Sequence, residues 1–191
     1  YETRGEFLFE GKKVDPKEFP LLEKILSYGA LCTNVVRSET GDFVGDPTEI
    51  AIVVAAEKAG LSKENLEGKF PRAGEIPFSS ERKMMSTVNI IDGKPVLITK
   101  GAPEILLNIS TKVETEEGVK ELLPEIRGEI NRRIEMYASR GYRVLGVAYK
   151  PLDDPNVGEE SENDLIFLGL LAMIDPPRPE VYEAVEKARK A

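Results

Sequence analysis

The chain contains no histidine and only one cysteine. Without histidine it lacks the commonest general base and metal ligand, so any acid–base chemistry falls to carboxylates or to another chain. A lone cysteine cannot close an intramolecular disulfide, which fits a reducing compartment. Cys32 lies in the largely apolar run Y-G-A-L-C-T with no histidine to activate it, so it reads as a small buried hydrophobe rather than a nucleophile. Long apolar stretches are also missing: the longest, Leu165 to Ile174, has 10 residues, too few to cross a bilayer. The opening Tyr-Glu-Thr-Arg-Gly-Glu has neither an initiating Met nor the apolar core of a signal peptide, so a soluble, excised piece is expected. A net charge of −8 argues against nucleic acid as the main partner, though it leaves room for a local basic pocket holding one small anion.

What is present suffices for one medium domain with a real core, or a domain with an appendage: 191 residues, 41% hydrophobic and 31% charged. The most informative stretch runs from Pro77 to Glu104, P-F-S-S-E-R-K-M-M-S-T-V-N-I-I-D-G-K-P-V-L-I-T-K-G-A-P-E. Its Asp92-Gly93 pair, set between β-rich runs, predicts two antiparallel strands joined by a tight turn. Phe78 and Lys83 fall near the start of the first arm, Lys100 and Gly101 at the end of the second. Folding the hairpin brings an aromatic face, two cations and a glycine to one mouth, a place for a flat, anionic ligand such as a nucleotide.

Elsewhere, F-L-F and K-K-V around Glu10-Gly11 predict a small hairpin over 6–14, and Phe19, Leu22, Ile25 and Leu26 mark one face of a helix over 19–30. A turn-rich region follows. Gly45-Asp46-Pro47-Thr48-Glu49 is the strongest helix start: Asp46 caps, Pro47 fits the first helical position, and Glu49 is spaced to close a capping box. That helix, apolar on nearly every side, should end at Gly60, with Ser62 capping a second short helix through Leu66. A short helix over 104–108 and an exposed polar turn over 111–119 come next. A helix from Pro124 to near Gly141 carries Ile126, Ile130, Ile134 and Tyr137 on one face. Then follow a strand over 143–149, a solvated acidic loop over 151–164, a buried strand over 165–174 and a final helix over 180–191. Strands and helices intermix without a G-x-G-x-x-G turn, so the expected class is α+β, a mainly antiparallel twisted sheet flanked by helices.

Each candidate site residue has a plainer alternative. Phe78 either presents a stacking face or is an ordinary core aromatic. Arg82 and Lys83 either serve a ligand or are the charges that blunt a sheet edge, and alternation puts only one of them on a given face. Lys100 closes P-V-L-I-T and precedes Gly-Ala-Pro, which lets backbone approach an anion while the ammonium pairs with it; ordinarily such a lysine faces water. Glu49 either completes its capping box or accepts from an exocyclic amine. Arg143, at a strand start, is placed to reach a phosphate. The acidic loop lacks EF-hand spacing, and no Walker A motif, metal cluster or Ser/His/Asp set is visible, so no catalytic residue and no metal ligand is assigned.

Five segments in order, G-D-P-T-E at 45–49, F-S-S-E-R-K-M-M-S at 78–86, K-G-A-P-E at 100–104, R-V-L at 143–145 and D-P-P-R at 175–178, resemble the nucleotide-binding domain of a type II P-type cation-transporting ATPase. The likeness covers essentially the whole chain. It implies that Phe78 stacks on adenine and Glu49 meets the adenine edge. Lys83 and Lys100 would line the pocket, Gly101 and Ala102 form its close wall, Arg143 reach toward the phosphates, and Leu145 pack on the nucleotide. The family often has an arginine two residues after the stacking Phe; here Ser80 stands there, with Arg82 as the candidate substitute.

The family's phosphorylated aspartate in D-K-T-G-T, its T-G-D and G-D-G-x-N-D magnesium motifs and its membrane helices are absent from this chain. The resemblance thus implies a nucleotide-binding domain over 1–174, with 175–191 as the hinge and first helix of a truncated phosphorylation domain. ATP would be the cofactor, magnesium being held mainly by the phosphorylation domain. The partners would be the phosphorylation and actuator domains of the same pump, at the cytoplasmic face of a membrane, and the chain itself a monomer with no membrane span. It would grip adenosine and deliver the γ-phosphate to an aspartate elsewhere, binding ATP weakly without hydrolysing it. Calcium is the favoured cargo. A non-enzymatic adapter domain is the alternative; a self-sufficient kinase or phosphatase is disfavoured for want of a nucleophile with its base.

Overall fold

In the computed structural model, which describes residues 5–174, the first hairpin forms as its turn residues dictate. Strands β1 (Phe7–Phe9) and β2 (Lys12–Val14) reverse at Glu10 and Gly11, both with positive φ. Helix α1 (Pro20–Leu31) leads into the turn-rich region, which holds a further small hairpin of β3 (Val36–Arg37) and β4 (Phe43–Val44). Helices α2 (Pro47–Lys58) and α3 (Lys63–Lys69) follow, the second running three residues past Leu66. Then come β5 (Arg72–Ser79), β6 (Met84–Ile91) and β7 (Lys94–Gly101), a meander turned at Asp92 and Gly93. Helix α4 (Pro103–Ile109), β8 (Ser110–Thr115), β9 (Gly118–Glu121), α5 (Pro124–Ser139), β10 (Arg143–Pro151) and β11 (Leu165–Met173) complete the described chain. The proposed hinge and final helix lie outside the described residues.

One sheet of seven strands, in the order β5-β6-β7-β10-β11-β8-β9, carries the structure. Every pairing in it is antiparallel except β11 with β8. The class is therefore α+β with a mainly antiparallel sheet, as expected. Both faces are covered. On one, Met85, Ile98, Val147 and Leu168 pack beneath α1, α2 and α3 through Leu26, Leu31, Val53 and Leu66. On the other, Met84, Val88, Leu97 and Phe167 meet Leu106 and Leu107 of α4, with Ile126 and Ile130 of α5 against them. A strand buried on both faces loses its polar alternation, which is why Val96-Leu97-Ile98 reads as a continuous apolar run. Among the described residues no helix is long and apolar enough to cross a membrane.

Three expectations change. The polar stretch 111–119 is not a turn: it supplies β8 and much of β9, a hairpin at the sheet edge. Its polar residues hid the pairing: β8 lies between β11 and the edge strand β9, yet only Val113 of β8 joins the apolar core. Phe78 does not belong to the first arm of the predicted hairpin; it sits on the preceding strand, β5, so the mouth has three strands rather than two. The acidic loop is not merely solvated, because Glu162 is buried within it and bonds to the sheet.

Helix α2 starts as its sequence requires. Asp46 Oδ1 accepts from the backbone N–H of Thr48 at 2.8 Å and of Glu49 at 3.4 Å. Burial pushes the Asp46 carboxyl up, but bonds from the Thr48 and Glu49 amides and the Thr48 hydroxyl, helped by the charge of Arg143, outweigh it and hold the group below its ordinary value. A carboxylate depressed on folding stabilises fully above its unfolded pKa and loses that contribution as pH falls through the folded value. Asp46→Ala should therefore lower unfolding free energy by about 1 kcal/mol in urea melts at neutral pH. The gap to the parent should narrow once the pH drops below about 4.

Candidate functional site

Strand register brings the predicted residues to one end of the sheet. Ser79 at the end of β5 pairs with Met84 at the start of β6; Met84 pairs with Gly101 at the end of β7, and Gly101 with Gly146 near the start of β10. On the face toward α1 and α2, Met85, Lys100 and Val147 stand side by side in register. Alternation along β10 places Leu145 and Arg143 on that same face. Helix α2 begins over this row, with Glu49 in its first turn.

The centre is an ion pair. Lys100 Nζ lies 2.6 Å from Glu49 Oε1, and the other carboxylate oxygen accepts from the backbone N–H of Asn34 at 2.9 Å. Lys100 is only 5% exposed. Both plain alternatives thereby fail: the lysine does not face water, and Glu49 closes no capping box because its carboxylate reaches across to the sheet. A buried charge demands such a partner, since desolvation otherwise exceeds what packing returns. The Asn34 segment is itself fixed. Arg72 donates to the carbonyls of Leu31 and Thr33 at 2.8 and 2.6 Å and to Asn34 Oδ1 at 2.7 Å, and Asn34 Nδ2 donates to Glu75 at 3.0 Å.

Phe78 is 62% exposed, so it is no core aromatic. Pairing jumps from Ile76–Ser86 to Ser79–Met84, and the irregularity takes Phe78 out of the strand's alternation. The chain then turns through 79–83: Ser79 O accepts from Lys83 N–H at 2.7 Å, and Lys83 adopts φ 55°. Lys83 is exposed, and its carbonyl accepts from Ala102 N–H at 3.0 Å, which closes the turn onto the end of β7. Gly101 is what allows this closure. A Cβ there would stand 2.4 Å from Lys83 O and 2.5 Å from Met84 Cβ, so the bare α-carbon makes room for the mouth itself. Ala102 is partly exposed at the cap of α4.

Arg143, exposed at the start of β10, donates to the hydroxyl of Thr48, the residue before Glu49. It borders a cleft of about 550 Å³ between the start of α2, Gly141 and Met173. Leu145 is half-buried opposite Leu171. Glu49 and Lys100 thus touch, Arg143 joins them through the same helical turn, and Phe78 and Lys83 reach the same sheet end from β5 and its turn. Arg82 is not available as a substitute for an arginine at Ser80. Its guanidinium is bound to Glu162 and to the Pro77 carbonyl, both at 2.5 Å.

Met85 and Asn34 escaped sequence reasoning. Met85 joins the site only through its strand register with Lys100, and Asn34 meets Glu49 through its backbone N–H, so neither leaves a local sequence signal. Cys32 is buried, with Sγ 3.4 Å from Ile98 O, and burial pushes its thiol up despite the nearby Lys100 charge. It is a small buried residue, as expected. A larger cleft of about 840 Å³ lies between the β1–β2 hairpin and the β8–β9 turn and contains none of these residues. Among the described residues no cluster of His, Cys, Asp and Glu could hold a metal ion. The arrangement offers a stacking face, cations and one acceptor, which is the chemistry of holding and orienting an anionic aromatic ligand.

The family model described as P-type ATPase, cytoplasmic domain N, matches residues 21–180. The chain is 40% identical over 169 residues to calcium-transporting ATPase 1 of Lactococcus lactis subsp. lactis (strain IL1403), an alignment covering 87% of this chain and 19% of that protein. It is 38% identical over 198 residues to the calcium-transporting ATPase of Bacillus subtilis (strain 168), covering 100% of this chain and 22% of the relative. Calcium-transporting ATPase 1 of Saccharomyces cerevisiae (strain ATCC 204508 / S288c) is 36% identical over 173 residues, covering 87% of this chain and 18% of the relative. The chain thus spans about a fifth of the length of the curated relatives it matches.

The ion pair makes a prediction that is independent of any ligand. Lys100→Ala leaves Glu49 largely buried and unpaired and should cost about 2 kcal/mol in urea unfolding, below the figure for complete burial because Glu49 keeps some contact with water. Replacing both residues, as Glu49→Gln with Lys100→Met, should recover most of that loss.

Proposed function

Since the chain belongs to the family of P-type ATPase cytoplasmic N domains, we propose that it is the ATP-binding domain of an ATP-driven cation pump and holds ATP by its adenosine end. The observation that carries this reading is the exposed Phe78 ring at the same sheet end as the buried Glu49–Lys100 pair. An aromatic face left in water at the rim of a polar pocket is suited to stacking on a base. Glu49 accepts from the exocyclic amine of adenine, and Lys100 pairs with that carboxylate and holds it in place. Gly101 and Ala102 form the close wall, Leu145 packs against the nucleotide, and Lys83 and Arg143 meet its phosphates.

The contribution of the domain is then positioning. It carries the γ-phosphate to an aspartate in a separate phosphorylation domain, and the actuator domain completes the pump. The described site is rich in cations, its Glu49 carboxylate is paired with Lys100 and the Asp46 carboxylate caps α2, a donor set that does not suit a divalent cation. Magnesium is therefore assigned to the phosphorylation domain, and the isolated chain is not catalytic. Residues 1–174 form the nucleotide-binding unit, 175–191 lead back to the phosphorylation domain, and the unit works as a monomer on the cytoplasmic face of the membrane. Calcium is the cargo we favour, since the relatives above are named calcium-transporting ATPases.

Calorimetry with ATP and with adenosine tests the reading. The parent should bind both, and Phe78→Ala should weaken both by roughly tenfold, with melting unchanged because the ring is exposed. Equal affinity in parent and variant, or no binding by the parent, would contradict it.

A further inference from the structure

Arg82 lies between Phe78 and Lys83, both exposed, yet its own side chain is only 14% exposed. Its Nη1 donates to Glu162 Oε2 at 2.5 Å, and its Nη2 donates to the carbonyl of Pro77, the residue before Phe78, also at 2.5 Å. Its Nε stands 3.2 Å from Glu159 Oε1. Glu162 is more deeply buried, its side chain 1% exposed, and its other oxygen accepts from Ser86 Oγ at 2.6 Å. Ser86 Oγ is in turn 2.8 Å from Thr99 Oγ1, its register partner on β7. Alternation puts Ser86 with Met84 and Val88, on the sheet face opposite the Glu49–Lys100 pair. A chain of buried polar groups therefore runs behind the mouth and ends on the backbone that carries its aromatic ring.

That backbone needs an external hold. The pairing of β5 with β6 skips from Ile76–Ser86 to Ser79–Met84, leaving Pro77 and Phe78 outside the regular ladder, and Pro77 has no N–H to donate. An arginine fork can supply that hold, because its planar donors bond a carboxylate and a carbonyl at fixed angles, which a lysine cannot reproduce. We propose that Arg82 is a positioning residue for the adenine-stacking ring, aimed by the buried Glu162 of the acidic loop at the Pro77 carbonyl so that Phe78 is preset for its ligand. The proposal rests on the nucleotide reading above. It also gives the acidic loop a role, as the support that holds the aromatic side of the site from behind. Without the clamp, the ring must be ordered when the ligand arrives, and affinity falls by that cost.

The test compares the full chain with Arg82→Lys, Glu162→Gln and Phe167→Leu, the last a core change on the same sheet face but on β11, four strands from the β5 that carries Phe78. Adenosine affinity is measured by calorimetry and the Phe78 ring is followed by aromatic carbon NMR. Arg82→Lys and Glu162→Gln should each weaken adenosine binding about fivefold and move the Phe78 ring signals in the free protein. Phe167→Leu should lower the melting temperature and leave both readouts at parental values. If the parent binds adenosine and Phe78→Ala impairs it, but both clamp variants bind like the parent with unmoved ring signals, the positioning role is wrong and the nucleotide reading stands. Equal weakening by Phe167→Leu would also overturn it, reducing the clamp to general stability. Failure of the parent to bind adenosine would remove the nucleotide reading and this role with it. Should Arg82→Lys fail to fold, Glu162→Gln, which preserves size and an acceptor, decides between these outcomes.

Discussion

A lysine ammonium taken almost wholly out of water has to be given a counter-charge, and much of this domain is arranged around that requirement. Lys100 lies at the end of β7, and the carboxylate it needs comes from Glu49, on a helix that precedes it by about fifty residues. The pair fixes the first turn of α2 over the sheet end. It draws in the Asn34 amide, and through Arg72 the carbonyls of Leu31, the last residue of α1, and of Thr33 just beyond it. Capping of α2 is left to Asp46 alone, which frees Glu49 to reach across. The site thus inherits its geometry from an electrostatic necessity before any ligand is considered.

The sheet divides the labour. Its α1–α2 face carries the charged pair, Met85 and Leu145, and its start at β10 presents Arg143. Its α4–α5 face carries the network of Arg82, Glu162, Ser86 and Thr99. Because the strands are buried on both sides, a polar group on either face must be matched within the fold, and each match ties a different loop to the same sheet end. Gly101 lets the 79–83 turn close against β7 at a distance no side chain would tolerate. A closed rim results, on which Lys83, Arg143 and the ring of Phe78 are exposed.

Much of this was legible in the chain. The Asp92-Gly93 reversal, the Asp46-Pro47 helix start and the apolar face of α1 obey local rules, and the five spaced segments carried the family. Long-range matches were not legible, because they depend on which residues the sheet brings together. Glu49 looked like a capping-box acid, since its spacing fits that role equally well; only the arrival of Lys100 decides against it. The stretch 111–119 looked like a polar turn because β8, although paired on both sides, sends only Val113 into the apolar core. Glu162 was lost among neighbouring acids, as nothing local distinguishes the one that enters the core. Phe78 was assigned to the wrong strand because Ser80 and its neighbours form a turn where a single continuous arm was expected.

The account stands on the claim that adenosine enters the mouth bounded by Phe78 and the Glu49–Lys100 pair. Titrating isotope-labelled protein with adenosine, observed through backbone amides, aromatic carbons and the lysine side-chain signals, tests it most directly. Saturable shifts should centre on the Phe78 ring, Lys100 and the Glu49 amide, with the Leu8 and Phe19 signals of the larger distant cleft unmoved. Shifts confined to that distant cleft, or none at all, would contradict the account.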